Sequence, residues 1–137
     1  MKITAIVVTY NNPGALEVIL QGILKQHVLP EEVIIADDGS DPDTAGLIRR
    51  WMTGFPCRLI HVWQEHTGFR AAHIRNKAVR VSTGDYLVFS DGDLFWHPDF
   101  IRDFREKIRK NTAWIGSRVF LTRSEEHTSE LQSRQSI

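Results

Sequence analysis

Three apolar, β-branched runs that each break off at a polar turn constrain this chain more than any other feature. Ile3 to Tyr10 stops at Asn11-Asn12-Pro13-Gly14, Glu32 to Ala36 stops at Asp37-Asp38-Gly39-Ser40, and Tyr86 to Ser90 stops at Asp91-Gly92-Asp93. Strands that are apolar almost throughout, rather than at alternate positions, belong to parallel sheets with helices on both faces. The segments between them carry helical spacing. Leu16, Ile19, Leu20, Ile23 and Leu24 share one face of a helix opened by Asn12 and Pro13, a good cap followed by a good first-turn residue. Asp43 to Met52, Arg70 to Val81 and Asp99 to Lys110 repeat that spacing, with Arg58 to Val62 as another strand and Ala113 to Phe120 as a candidate fifth. A β-α alternation of this kind predicts an α/β fold with a doubly wound, mostly parallel sheet.

The Asp91-Gly92-Asp93 loop then acquires chemical meaning. Ligands of open α/β sheets bind outside the carboxyl ends of the strands, so two carboxylates at that position face a cleft. With no cysteine and no close histidine pair beside them, they suit a hard cation such as Mg²⁺ or Mn²⁺, which takes the rest of its shell from water and a substrate's phosphates. The same residues also suit a turn that caps the next helix, since Asp and Gly are common in turns.

Length and charge narrow the function classes. The 137 residues, 42% of them hydrophobic, can bury one core, although the chain is short for an α/β enzyme. Seventeen basic and seventeen acidic side chains cancel, which removes the global electrostatic case for nucleic acid despite the local cluster Arg70, Arg75, Lys77 and Arg80. The single Cys57 excludes an internal disulfide and fits a reducing compartment. Met1 leads straight into a strand pattern, and no apolar run reaches membrane-spanning length, so a cytoplasmic address is expected. From Arg123 every pattern is lost. That tail, 123–137, resembles residue for residue the translation of a common sequencing adapter, and its Glu125-Glu126-His127 is accordingly given no function. The expectation is a domain over 1–122, incomplete at its C-terminus, followed by an artefactual, disordered tail.

Val7-Val8-Thr9-Tyr10-Asn11-Asn12, Ala36-Asp37-Asp38-Gly39-Ser40, the stretch from Gly68 to Ala78 with Arg75-Asn76, and Thr83-Gly84-Asp85 through Asp91-Gly92-Asp93 resemble, in this order, the signature segments of family 2 glycosyltransferases with the GT-A fold. Each segment is weak alone; their order and spacing are specific. The resemblance covers roughly residues 3 to 122. It implies a Rossmann-like domain that binds a nucleoside diphosphate sugar with Mn²⁺ or Mg²⁺ and passes the sugar, with inversion, to a hydroxyl of a glycan, a lipid or another acceptor.

The resemblance also implies roles. Asp93 would hold the ion directly, and Asp91 the ribose or the ion through water. Asp38 would accept bonds from the ribose or the base, Tyr10 would offer a ring face, and Thr9 and Asn11 would add backbone and polar contacts. Arg75 would reach the base or the diphosphate with its planar fork. Asp37 is read as the turn-forming partner of Asp38, and Asp85 as a turn that starts a strand. His66, His73 and His97 lack ligand spacing and read as surface or packed residues; the four tryptophans read as core or rim anchors, with Trp96 close enough in sequence to the acidic loop to touch the sugar. No residue before the tail suggests the general base, since Asp99 reads as an early-turn residue favoured by the helix dipole. Two other classes compete: a donor-binding but inactive fragment, and a haloacid-dehalogenase-like phosphatase with Asp91 as nucleophile. A dinucleotide-binding module lacks its G-x-G-x-x-G after the first strand.

Overall fold

In the computed structural model, residues 1–116 are described. The chain alternates strand and helix four times: β1 (Ile3–Thr9), α1 (Pro13–Leu24), β2 (Glu32–Asp37), α2 (Pro42–Met52), β3 (Arg58–Trp63), α3 (Ala71–Val81), β4 (Tyr86–Asp91) and α4 (Phe100–Lys107). These four strands pair in parallel, in the order β3-β2-β1-β4. The chain thus builds outward from β1 through β2 to β3, then returns across the sheet to place β4 on the other side of β1. Of the candidate fifth strand, residues 113–115 are irregular and Gly116 makes an isolated β-bridge; its remainder lies outside the described residues, as does the tail. The last helix is shorter than expected, ending at Lys107, and Asp99 precedes it rather than sitting in its first turn.

The described residues form two compact units, Met1–Leu20 with Pro30–Leu94, and Gln21–Leu29 with 95–116. The first holds the sheet. Ile6, Ile34 and Ala36 project to one face and pack with Ile74 and Ala78 of α3, with Val8, Ile60, Val62 and Leu87 around them. The residues between them, Ala5, Val7, Val33 and Ile35, point to the opposite face by strand alternation and are equally buried. Right-handed crossovers place α1 and α2 on that second face. Double coverage is why the strands could be read as unbroken apolar runs. In the second unit Gln26 is buried, its amide nitrogen donating to His97 O at 2.7 Å while its oxygen accepts from Ile101 N at 3.0 Å. In the same unit Phe100 packs at a tilt on Trp96 and edge-on against Phe104.

The amino edge of the sheet is tied by one buried carboxylate. Glu32, 2% exposed, accepts from Thr4 Oγ1 (2.9 Å) and Thr83 N (2.9 Å) on one oxygen, and from Arg58 Nη1 (3.1 Å) and Thr83 Oγ1 (3.2 Å) on the other. It therefore joins β1, β2, the start of β3 and the turn into β4. Burial alone would raise its pKa, but the bonds from Thr83 and Thr4 and the Arg58 charge outweigh that and hold it below the usual glutamate value. Nearby Cys57 lacks such donors: burial and the charges of Glu31 and Glu32 push its thiol up to about 11.

A carboxylate whose pKa is depressed by folding stabilises the fold above its unfolded pKa, and that contribution is lost as pH falls through the folded value. Glu32→Gln is therefore expected to cost about 1–3 kcal/mol at neutral pH, because the amide leaves Arg58 and one threonine donor unmatched. The gap to wild type should narrow in acid, where Glu32 is itself protonated. Urea unfolding of both proteins at pH 7 and below pH 4 measures it.

Candidate functional site

The direction of strand addition reverses between β1 and β4, and at such a switch point the loops leaving the two strands diverge to leave a crevice. Register fixes what stands there. Val8 of β1 lies beside Asp91, the last residue of β4, and Thr9 beside Asp37, the last residue of β2. Thr9, Tyr10 and Asn11, Asp37 and Asp38, and Asp91 to Asp93 therefore share the carboxyl edge. Gly92 is required by close approach, since a Cβ there would lie 2.6 Å from Val8 O. The two acidic side chains are thus carried by a backbone pressed against the end of β1.

A chain of hydrogen bonds sets the β1–α1 turn. His61 of β3 donates from Nε2 to Asp37 Oδ2 at 2.8 Å, and Asp37 Oδ1 accepts from Ser40 N at 2.9 Å. Ser40 Oγ accepts from Asn11 N at 2.8 Å, and Asn11 Oδ1 accepts from Asp41 N at 2.7 Å. Asn11 is held in the left-handed region at φ 44°, a conformation that asparagine tolerates better than most residues. Asp37 is fully buried. Burial would raise its pKa, yet the bonds from His61 and Ser40 and the charge of His61 prevail and keep it below the usual aspartate range. The turn-forming part expected of Asp37 is thus observed.

Asp38 is arranged differently from the expectation that its carboxylate is offered to a ribose or base. It is 3% exposed, and its oxygens accept from Gln64 Nε2 at 2.6 Å and from Arg70 N at 3.1 Å. Gln64 is oriented in turn by His73, which donates from Nδ1 to its oxygen at 2.7 Å. Desolvation and the charges of Arg70, Lys77 and Arg80 lower the pKa of His73. Asp38 therefore organises the loop between β3 and α3, and its main-chain oxygen accepts from His66 Nδ1 at 3.0 Å. Above it, the Tyr10 and His66 rings stack with centroids 4.1 Å apart and 15° between planes. Ser40, His61, Gln64 and His66 were absent from the sequence-derived site because single polar residues on an edge strand or loop carry no spacing signal. The glycine with positive φ in each of the two loops, Gly39 and Gly68, was the available hint.

The cation expected at Asp91 and Asp93 finds a partial donor set. Asp91 is half-buried and Asp93 exposed, and no cluster of three metal-ligating side chains occurs among the described residues. Two hard carboxylate donors with open positions fit an ion that draws its remaining ligands from phosphates and water. Arg75 reaches Asp91 Oδ1 from α3 at 3.4 Å and lines a pocket of ≈ 200 Å³ with Ala72, Asn76, Val79 and Phe89. Trp96, by contrast, is 3% exposed and packs on Phe100, so it serves as a core anchor rather than a sugar contact.

The sequence profile of Glycosyl transferase family 2 matches residues 4–135. The chain belongs to that family. The phosphatase alternative for Asp91 falls away with it. Among the family's proteins similar to this chain are the hyaluronan synthase of Pasteurella multocida, 31% identical over 122 residues (87% of this chain, 12% of that protein), and glycosyltransferase GlyA of Streptococcus pneumoniae serotype 4, 32% identical over 114 residues (83% and 16%). The fold is shared with the mannosyltransferase PcManGT of Pyrobaculum calidifontis, solved with GDP-Man and Mn²⁺, at TM-score 0.73 and 29% identity over 92% of this chain and 37% of that one. S. aureus TarS, solved with UDP-GlcNAc, gives TM-score 0.68 and 25% identity over 77% and 30%. The chain spans well under half the length of each of these proteins. Among the described residues no helix is long and apolar enough to cross a membrane.

Two substitutions test how the family's carboxyl-edge loops are held here. Gly92→Ala forces Val8 or the acidic loop to move and should cost about 1–3 kcal/mol, as overpacked sites do. Ser40→Ala removes the acceptor of Asn11 N and should cost about 1 kcal/mol. Chemical denaturation of each against wild type gives both values.

Proposed function

We propose that this chain is the donor-binding part of a glycosyltransferase. It holds a nucleoside diphosphate sugar at the carboxyl edge of its sheet, with Mn²⁺ or Mg²⁺ at Asp91 and Asp93, and the complete protein transfers the sugar with inversion to a hydroxyl of a glycan, lipid or other acceptor. The observation that carries this reading is that Tyr10 and Asn11, leaving β1, and the Asp91-Gly92-Asp93 loop, leaving the adjacent β4, stand on the same carboxyl edge, with Gly92 pressed against Val8 O. PcManGT with GDP-Man and Mn²⁺, and TarS with UDP-GlcNAc, support the donor class.

In this reading Tyr10 presents its ring to the base, while Thr9 and Asn11 line the ribose side. Asp38 acts through the loop it anchors. Arg75, paired with Asp91 when the donor is away, offers its guanidinium to the diphosphate once that carboxylate has another cation to face. A divalent ion held by Asp93 and Asp91 supplies Lewis-acid stabilisation of the departing diphosphate. No acceptor-binding residue and no general base is assigned among the described residues.

Titration calorimetry with UDP and GDP, each with and without Mn²⁺, tests the assignment. Binding of at least one nucleotide should depend on the metal. Asp93→Asn should abolish that dependence while leaving the melting temperature near wild type, because the amide keeps the shape and removes the charge that a hard cation needs. Asp91→Asn should have the milder effect. Metal-dependent binding that survives Asp93→Asn unchanged would return the loop to a purely turn-forming role.

A further inference from the structure

We infer that His66 belongs to the donor site as a positioning residue: its imidazole backs the Tyr10 ring, and the two rings together form the platform on which the nucleobase lies. The inference rests on the donor-site reading above and adds a residue to it.

Three features show that the imidazole is built into place. Its Nδ1 lies 3.0 Å from the main-chain oxygen of Asp38, and since a carbonyl only accepts, Nδ1 must carry the proton, which fixes the ring's orientation. Gly39 has φ 96°, and a Cβ there would overlap the backbone and Cβ of His66, so the loop reaches this position only because residue 39 has no side chain. The carboxylate of Asp38 fastens the same loop at both ends, through Gln64 and the Arg70 amide. The ring so held is parallel to Tyr10 at 4.1 Å.

The consequence for Tyr10 is directional. The residue is 45% exposed, and one face of its ring is already covered by the imidazole. A base can therefore stack only on the outer face. Without His66 the tyrosine loses its aromatic partner among the described residues, and a base would have to order it on binding, which weakens affinity. Any nucleobase offers a π face, so the platform accepts uracil and guanine alike and leaves their discrimination to other contacts.

The test compares UDP, GDP and inorganic pyrophosphate, each with Mn²⁺, by titration calorimetry on wild type, His66→Ala and His66→Phe, with thermal melts alongside. For His66→Ala the expected result is a roughly 3- to 10-fold weaker Kd for the nucleotides, the size of one aromatic pair, at unchanged pyrophosphate affinity. His66→Phe keeps the ring but not the Nδ1 bond and should stay within about twofold of wild type if stacking is what matters. Equal nucleotide affinity in wild type and His66→Ala would overturn the inference. Tighter binding by His66→Ala would overturn it too, since the imidazole would then occupy the base's own place. A loss shared by pyrophosphate, or by His66→Phe, would reduce His66 to a loop support and likewise overturn it. A wild-type chain that binds pyrophosphate but neither nucleotide, or binds none of the three, would instead overturn the donor-site reading itself.

Discussion

The parallel pairing of β1 with a strand on each side is the constraint from which the rest of the molecule follows. Both neighbours must end at the same edge as β1, so the loops after residues 9, 37 and 91 cannot avoid one another. Slipping either register by one residue would turn every side chain of that strand to the other face, carrying Ile34 or Leu87 away from α3. Burial of the core and convergence of the polar loops are thus enforced by the same hydrogen-bond ladder. Glu32 reinforces it at the far edge, where its carboxylate serves donors from β1, β3 and the turn into β4.

The polar groups are divided between the two edges by function. At the amino edge, Glu32 is closed in on every oxygen and holds strands together. At the carboxyl edge, Asp37 and Asp38 are closed in as well, yet what they hold are loops: one through Ser40 to Asn11, the other through Gln64 and Arg70. Asp93 is left open to solvent. Buried carboxylates that shape a cleft, with an open one for a ligand, make a site whose geometry exists before anything binds.

The strands and helices were legible in the sequence because their signals are local: unbroken apolar runs, helical spacing, and the Asn12-Pro13 start, where Asn12 Oδ1 indeed accepts from Ala15 N. Position at the carboxyl edge was also legible, since parallel strands that end in polar loops leave little choice. What could not be read was which polar side chains turn inward. Asp37 and Asp38 are adjacent and chemically identical, and only the path of the β3–α3 loop decides that the second is consumed by Gln64 and Arg70. Trp96 was legible as an anchor, whereas a sugar contact did not follow from its nearness to Asp93 in sequence, which says nothing about the direction of its ring. The end of α4 at Lys107 was missed because Ile108 continues the apolar spacing while the backbone there has already left the helical region.

The environment of Cys57 has a use in following the molecule's motions. With its pKa near 11, only on the order of one thiol in a thousand is ionised at pH 8, so the folded amino edge reacts slowly with alkylating or disulfide reagents. Loosening of that edge exposes the sulfur and separates it from Glu31 and Glu32, and the thiolate fraction rises by orders of magnitude. Labelling kinetics at this one native position would then report the opening of the strand ends around Glu32 separately from global unfolding, without any engineered probe.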